Sequence, residues 1–293
     1  MSDAPVMAFS LVENGRLKGL AGDRVRIPWW SFTKTVIAAA ALALCRDGRL
    51  SLDRMLPAGY TLRHLLQHRA GLVDYGGLGA YHEAVARGDA PWSEQELLER
   101  TDAERLRYPP GQGWDYSNIG YRFAGRLVED ASGDELGAAL DRLVLTPLGI
   151  ASTRLARVPT DLDGVNLGTI RSYHPGWVYH GLLVGPLGEA ALLLDRLLTG
   201  DFLPNELLSA MRDPHPLPGR MAGRPWAEPG YGLGLMAGQG RFGWRVEGHT
   251  GGGPGSTCAV YHRPGSQPRR TAAAFAAGDR GGFVERRAFR AGS

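Results

Sequence analysis

Ser31-Phe32-Thr33-Lys34-Thr35-Val36-Ile37-Ala38-Ala39-Ala40-Ala41-Leu42-Ala43-Leu44-Cys45-Arg46 is the stretch from which the rest of the chain can be read. Beyond Lys34 it is almost entirely apolar, rich in Ala and Leu, and Arg46-Asp47-Gly48 stops it, so it reads as a helix buried on nearly all sides. Val36 to Cys45 is too short to span a bilayer and is bracketed by Lys34 and Arg46, which places the helix in a protein core, against a sheet. At the start of that helix Ser31 and Lys34 stand at i and i+3, on one face, so a lysine amine can lie beside a serine hydroxyl. The helix N-terminus adds free N–H groups and a partial positive charge, which favour an alkoxide and then an oxyanion. A capping serine beside a solvated lysine would give the same four letters. Lysine occurs only at Lys18 and Lys34, which makes the coincidence less ordinary.

Outward from this helix, strands gather at the two chain ends. On the N-terminal side Val6 to Val12, a turn at Glu13-Asn14-Gly15 and a return from Leu17 to Val25 predict a β-hairpin, closed by Pro28. On the C-terminal side strands are predicted over 231–237, 244–249, 258–262 and 270–276. Between them the pattern is helical and loop-rich, with helices over 62–68, 93–105, 121–131 and 135–145, then 187–198 and 204–211. The expectation is an α+β fold: an antiparallel sheet built from both chain ends and flanked by helices, with a mainly helical insertion. The sheet unit is assigned to 1–52 with 166–293 and the helical unit to 53–165, with a cleft where they meet. A short terminal helix is expected at Phe283–Phe289 within the ambiguous stretch Gly278 to Ser293.

Composition narrows the function classes. The 293 residues can bury a substantial core, and 43% hydrophobic with 22% charged residues is ordinary for a globular chain. Lys+Arg 33 against Asp+Glu 30 is nearly balanced and no dense basic run occurs, so no nucleic-acid partner is expected. Cys45 and Cys258 are isolated thiols, read as small buried residues. The segment Met1 to Phe9 lacks a basic start followed by an apolar run, so the expected compartment is the cytoplasm, without a membrane anchor. The oligomeric state is left open.

Two further constellations join Ser31 and Lys34. Tyr116-Ser117-Asn118 follows a Pro/Gly-rich loop and precedes a helix, where it can present a phenol and an amide to a cleft. A phenolate favoured by the Lys34 cation would make Tyr116 a candidate general base for Ser31. In isolation, a core tyrosine and a turn asparagine explain the same residues. His249-Thr250-Gly251 opens the run His249 to Gly255, where a substrate could lie along a glycine backbone and a glycine N–H could donate to an oxyanion. His249 could add a hydrogen bond or a positive charge. A glycine-rich loop with an incidental histidine is the plainer account.

In that order, Ser31-x-x-Lys34, Tyr116-x-Asn118 and His249-Thr250-Gly251 resemble the three active-site motifs of the serine β-lactamase-like, penicillin-binding-protein-like superfamily, in its class C β-lactamase, D,D-peptidase and family VIII esterase group. The likeness extends through Thr61 to Leu72, Pro110 to Tyr121, Pro147-Leu148-Gly149-Ile150 and Tyr231-Gly232-Leu233-Gly234, and covers most of 28–262. The resemblance implies an acyl-enzyme mechanism in which Ser31 is the nucleophile and Lys34 and Tyr116 handle its proton. It also implies an oxyanion hole from the backbone N–H groups of Ser31 and Gly252, with Asn118 orienting Lys34 and the substrate. Three departures bear on the substrate: His249 stands where many members carry lysine, Arg69-Ala70 replaces Thr-Ser, and 181–189 lacks the usual Gly-Gly-x-x-Ser-Thr. A small ester or amide is therefore expected ahead of a β-lactam or a D,D-peptide, with no cofactor and no metal. A non-catalytic ligand-sensing or interaction module on the same fold is the alternative of another class.

Three further signals have a structural reading. His64 and His68 have zinc-helix spacing but no intervening glutamate and no third ligand, so they read as structural. Gly238 to Gly243 fits G-x-G-x-x-G but lies between strands and reads as a hairpin turn. Trp29, Trp30, Tyr75, Trp114 and Tyr231 could line a cleft but are more simply packing residues.

Overall fold

The computed structural model describes residues 7–219 and 221–291; Val6 of the expected hairpin and the last two residues, Gly292 and Ser293, lie outside them. In β1 (Met7–Glu13) buried residues alternate with more exposed ones, the two-residue period of a strand with one covered face. Asn14 and Gly15, both at positive φ, turn the chain into β2 (Arg16–Leu17). The return strand expected through Val25 stops there. Asp23 accepts hydrogen bonds from the Ser10 hydroxyl (2.5 Å) and the Leu20 N–H (2.8 Å), which folds 21–24 into a 3-10 turn. The next extended piece, β3 (Arg26–Pro28), joins a different sheet.

A 3-10 turn, Trp30–Phe32, precedes α1 (Thr33–Arg46), so Ser31 sits just before the helix proper. Every residue of α1 from Thr33 to Leu44 is buried, as its apolar run requires. Then come α2 (Leu62–Leu66), α3 (Gly79–Arg87), α4 (Glu94–Thr101), α5 (Asn118–Ser132) and α6 (Leu136–Leu140), the last continuing into a π turn over 141–145; α5, α6 and that turn pack on α1. Helix α3 was not legible from the sequence, and α4 ends four residues earlier than expected because Asp102 adopts φ 49°. Strands β4 (Arg154–Ala156) and β5 (Leu182–Pro186) complete a small sheet in the order β3-β5-β4.

After α7 (Leu187–Thr199) and α8 (Asn205–Arg212) come β6 (His215–Pro216), β7 (Trp226–Tyr231), β8 (Met236–Gly240), β9 (Arg245–Gly253), β10 (Ser256–Arg263), β11 (Arg270–Ala277) and α9 (Gly281–Phe289). The strand expected over 231–237 is instead the tight turn between β7 and β8, which pair Tyr231 with Met236. The main sheet is antiparallel, ordered β2-β1-β11-β10-β9-β8-β7-β6, and the β1–β11 pairing joins the two chain ends, with Phe9 opposite Ala274. Alternate residues of β10 and β11 serve opposite layers: Cys258, Val260 and Phe275 join the core that holds α1 and α7, while Ala259, Tyr261 and Ala274 pack with Val284 and Phe289 of α9. The fold is thus the α+β arrangement expected, with the buried central helix between the sheet and the other helices. Among the described residues no helix is long and apolar enough to cross a membrane.

Candidate active site

The small sheet anchors the turn that carries Ser31. The Trp29 N–H donates to the Leu183 carbonyl (2.8 Å), and the Leu183 N–H donates to Thr33 Oγ1 (3.1 Å). Trp30 immediately precedes Ser31 at φ 43°, a left-handed conformation that costs a non-glycine residue about 1–2 kcal/mol. Burial of its ring, an indole N–H bond to Ser256 Oγ (3.0 Å) and an edge contact with Tyr173 hold it there. Strand β9 lies directly against this turn because it is glycine. A Cβ at Gly251 would stand 2.8 Å from the Ser31 nitrogen, and one at Gly253 would stand 2.5 Å from the Trp30 ring.

One helical turn on, Lys34 is wholly buried. Its Nζ lies 3.1 Å from Ser31 Oγ, 2.7 Å from Asn118 Oδ1, and 3.1 Å from the nearer ring nitrogen of His180. Burial holds the Lys34 amine well below its usual pKa, opposed by the charge of Asp74, so the neutral amine is favoured. Asn118 is placed by the start of α5: Ser117 Oγ caps the helix by accepting from the Gly120 N–H (2.9 Å). Asp74 then accepts from both the backbone N–H (2.8 Å) and the side-chain amide (2.9 Å) of Asn118, turning the amide oxygen toward Lys34.

Tyr116 Oη donates to Ser31 Oγ at 2.8 Å. Burial pushes its phenol above the usual range, more than the bond to Ser31 pulls it down, so the protonated phenol is favoured. That is opposite to the phenolate anticipated from the neighbouring lysine. The amine is desolvated too and supplies little charge; it lies over the tyrosine ring, 5.0 Å from the centroid. The His68 ring packs on Tyr116 at 4.3 Å, and its Nδ1 accepts from the Ser117 N–H (3.1 Å). His68, dismissed as a metal ligand, thus holds the Tyr116-Ser117-Asn118 segment in place. Among the described residues no group of three or more His, Cys, Asp or Glu could hold a metal ion.

The third segment is built differently. His249 is buried: its Nδ1–H donates to the Thr250 carbonyl (2.8 Å), which leaves Nε2 to accept from Tyr231 Oη (2.8 Å). Burial drives its pKa down to about 3. It is a neutral strut and offers no cation. Thr250 Oγ1 donates to Glu285 of α9 (2.6 Å), and the same carboxylate pairs closely with Arg224. What this segment presents to the cleft is backbone at Gly252 and Gly253.

The cleft in front of Ser31 is a cavity of about 1080 Å³. Ser31, Tyr116, Asn118 and Gly252 line it, with Lys34, His249, Thr250 and Gly251 behind its wall. Trp30, Tyr75, Tyr81, Tyr173 and Trp177 make much of its apolar surface, so Trp30 and Tyr75, set aside as packing residues, face the cleft as well. Asp74 and His180 were missed. Each acts through a contact distant in sequence, 44 and 146 residues away, and no local pattern announces such a contact.

The sequence pattern of the family described as Beta-lactamase matches residues 1–291. Esterase EstB of Burkholderia gladioli is 34% identical over 141 residues, covering 41% of this chain and 36% of that protein. A D-aminopeptidase of Brucella anthropi is 28% identical over 223 residues, covering 72% of this chain and 41% of that protein. The chain therefore spans well under two thirds of the length of these relatives. The solved D-stereospecific amidohydrolase from a Streptomyces species superposes with a TM-score of 0.77 at 22% identity, over 98% of this chain and 94% of that one, which is a likeness of fold.

Proposed function

The chain belongs to the beta-lactamase family, and from that premise we propose that it is a serine hydrolase that forms an acyl-enzyme on Ser31 with a small ester or amide. The observation that carries the proposal is the placement of Ser31 Oγ between two groups in complementary proton states. Lys34 Nζ lies 3.1 Å away and is favoured as a neutral amine; Tyr116 Oη lies 2.8 Å away and is favoured as a phenol. Lys34 takes the Ser31 proton as Oγ attacks the carbonyl carbon, and the Tyr116 phenol gives its proton to the leaving oxygen or nitrogen. The proton held on Lys34 then restores the phenol, and water hydrolyses the acyl-enzyme. The backbone N–H groups of Ser31 and Gly252 receive the oxyanion. These roles draw on both proposed units: Ser31 and Lys34 from 1–52 with 166–293, Tyr116 and Asn118 from 53–165.

Esters and small amides rank ahead of β-lactams because His249, neutral and turned to Tyr231, gives no cation for a substrate carboxylate. A cytoplasmic setting, suggested by the sequence, belongs to the same proposal, and the unpaired thiols Cys45 and Cys258 suit it. Turnover of p-nitrophenyl esters, D-amino acid amides and nitrocefin by the chain and by Ser31→Ala tests it. Ester or amide turnover lost in Ser31→Ala is the expected result. Turnover of nitrocefin alone overturns the substrate ranking, and tight ligand binding with no acyl-enzyme overturns the enzymatic proposal.

A further inference from the structure

A neutral primary amine has two N–H bonds and one lone pair, so a lysine that is to take a proton from serine must have both N–H bonds occupied elsewhere. Asn118 Oδ1 occupies one at 2.7 Å. His180 is the neighbour available for the other: its two ring nitrogens lie 3.1 and 3.4 Å from Lys34 Nζ, so the amine meets the ring across both of them. We infer that His180 is a positioning residue, its imidazole accepting the second N–H of Lys34 so that the lone pair is left aimed at Ser31 Oγ. The inference rests on the proposed role of Lys34 as the base for Ser31.

Three features fit His180 to this task. It is buried and neutral: burial holds its pKa well below that of an ordinary histidine, so it can accept rather than repel. A neutral imidazole keeps one ring nitrogen without a proton whichever tautomer it adopts, so an acceptor is on hand for the amine. Its place is tied to the nucleophile, since the chain turns at Gly181 (φ 94°) directly into β5, whose Leu183 is bonded to both Trp29 and Thr33. The imidazole therefore moves with the turn that carries Ser31. The other groups that face Lys34 cannot replace it. Tyr116 and Tyr121 present ring faces at 5.0 and 5.7 Å, Asp74 is bonded to Asn118, and His68 and His249, held neutral by burial, are bonded to Ser117 and to Tyr231 and Thr250 instead.

Two variants separate an acceptor from a space-filler. His180→Asn keeps an acceptor and loses volume; His180→Leu keeps an apolar volume and loses the acceptor. The readouts are the p-nitrophenol burst from p-nitrophenyl acetate and the rate of labelling by a fluorophosphonate, each followed from pH 5 to 10. For an acceptor, His180→Leu loses about 100-fold in acylation rate, the order of effect that a misaimed catalytic group produces, with KM little changed. His180→Asn stays within about 10-fold of the wild type, which is the scale of a partly replaced hydrogen bond. The pH profile supplies a second readout. An acceptor stabilises the ammonium more than the amine, so its loss in a dry site moves the acidic limb of the acylation profile to lower pH while the plateau falls. His180→Leu acylating at the wild-type rate with an unmoved limb, or His180→Asn as impaired as His180→Leu, overturns the inference and leaves the serine-hydrolase proposal standing. No acylation of Ser31 in the wild-type chain overturns both.

Discussion

The two walls of the cleft are built on opposite plans. The wall carrying Lys34, Tyr116 and Asn118 meets Ser31 with side chains, each held by a further residue: Asp74 behind Asn118, His68 beneath Tyr116, His180 against Lys34. The β9 wall meets it with backbone, its side chains turned into the protein toward Tyr231 and Glu285. Burial at the first wall shifts proton states in a way that chemistry can use, whereas burial at the second makes His249 a neutral strut. Side chains should therefore govern rate at the first wall, and shape should govern it at the second.

The largest effect that would sharpen this contrast is expected at Lys34. Lys34→Met should lower kcat/KM by about 10⁴-fold, as loss of a member of a catalytic unit does. The fold should persist, with a raised melting temperature once a desolvated amine is gone. A variant that retains activity within tenfold breaks the comparison on the first wall. Next in size, Gly251→Ala should press on the Ser31 nitrogen and the Trp29 carbonyl, destabilising by about 1–3 kcal/mol, an overpacking cost. Its turnover should fall by about 100-fold through misplacement of the nucleophile. Denaturant unfolding and steady-state kinetics read the two effects, and unchanged values for both would break the comparison on the second wall.

The smallest effect is expected at His249. His249→Gln should leave ester turnover within about fivefold, because no charge is lost from the cleft and a neutral hydrogen bond is worth about 1 kcal/mol. It should instead change the acid stability. The folded pKa is about 3 against an ordinary 6.5, so below pH 6.5 the unfolded chain takes up a proton that the folded chain refuses. Stability is thus unaffected above that pH and falls as pH drops toward 3, by about 1.4 kcal/mol per pH unit for this one histidine. Denaturant titrations at pH 7 and pH 5 should show a smaller loss in His249→Gln than in the wild type. An equal loss would mean that His249 is not buried as a neutral base.

The same contrast governs what could be read before the fold was known. Helix α1, the strand patterns at each chain end and the Ser31-x-x-Lys34 and Tyr116-x-Asn118 spacings are local patterns, and the sequence carries them openly. Asp74 and His180 are not legible in that way, because a single aspartate after a Gly-Leu-Val run and a single histidine before a glycine gain meaning only from partners far along the chain. The direction of the Tyr116 shift was missed for a related reason. From sequence one can count the charges near a phenol, but the desolvation that outweighs them depends on packing. The premature end of the hairpin at Leu17 is of the same kind, decided by the bond from Ser10 to Asp23.

The most direct test of the central claim is to map, by peptide mass spectrometry, the adduct formed when the wild-type chain and Ser31→Ala are treated with a fluorophosphonate across pH. Ser31, held between the Lys34 amine and the Tyr116 phenol, should carry the label in the wild type, with a rate that falls in acid as Lys34 becomes protonated. Ser31→Ala should carry none. An adduct on another residue, or labelling that survives in Ser31→Ala, would contradict the assignment of the nucleophile.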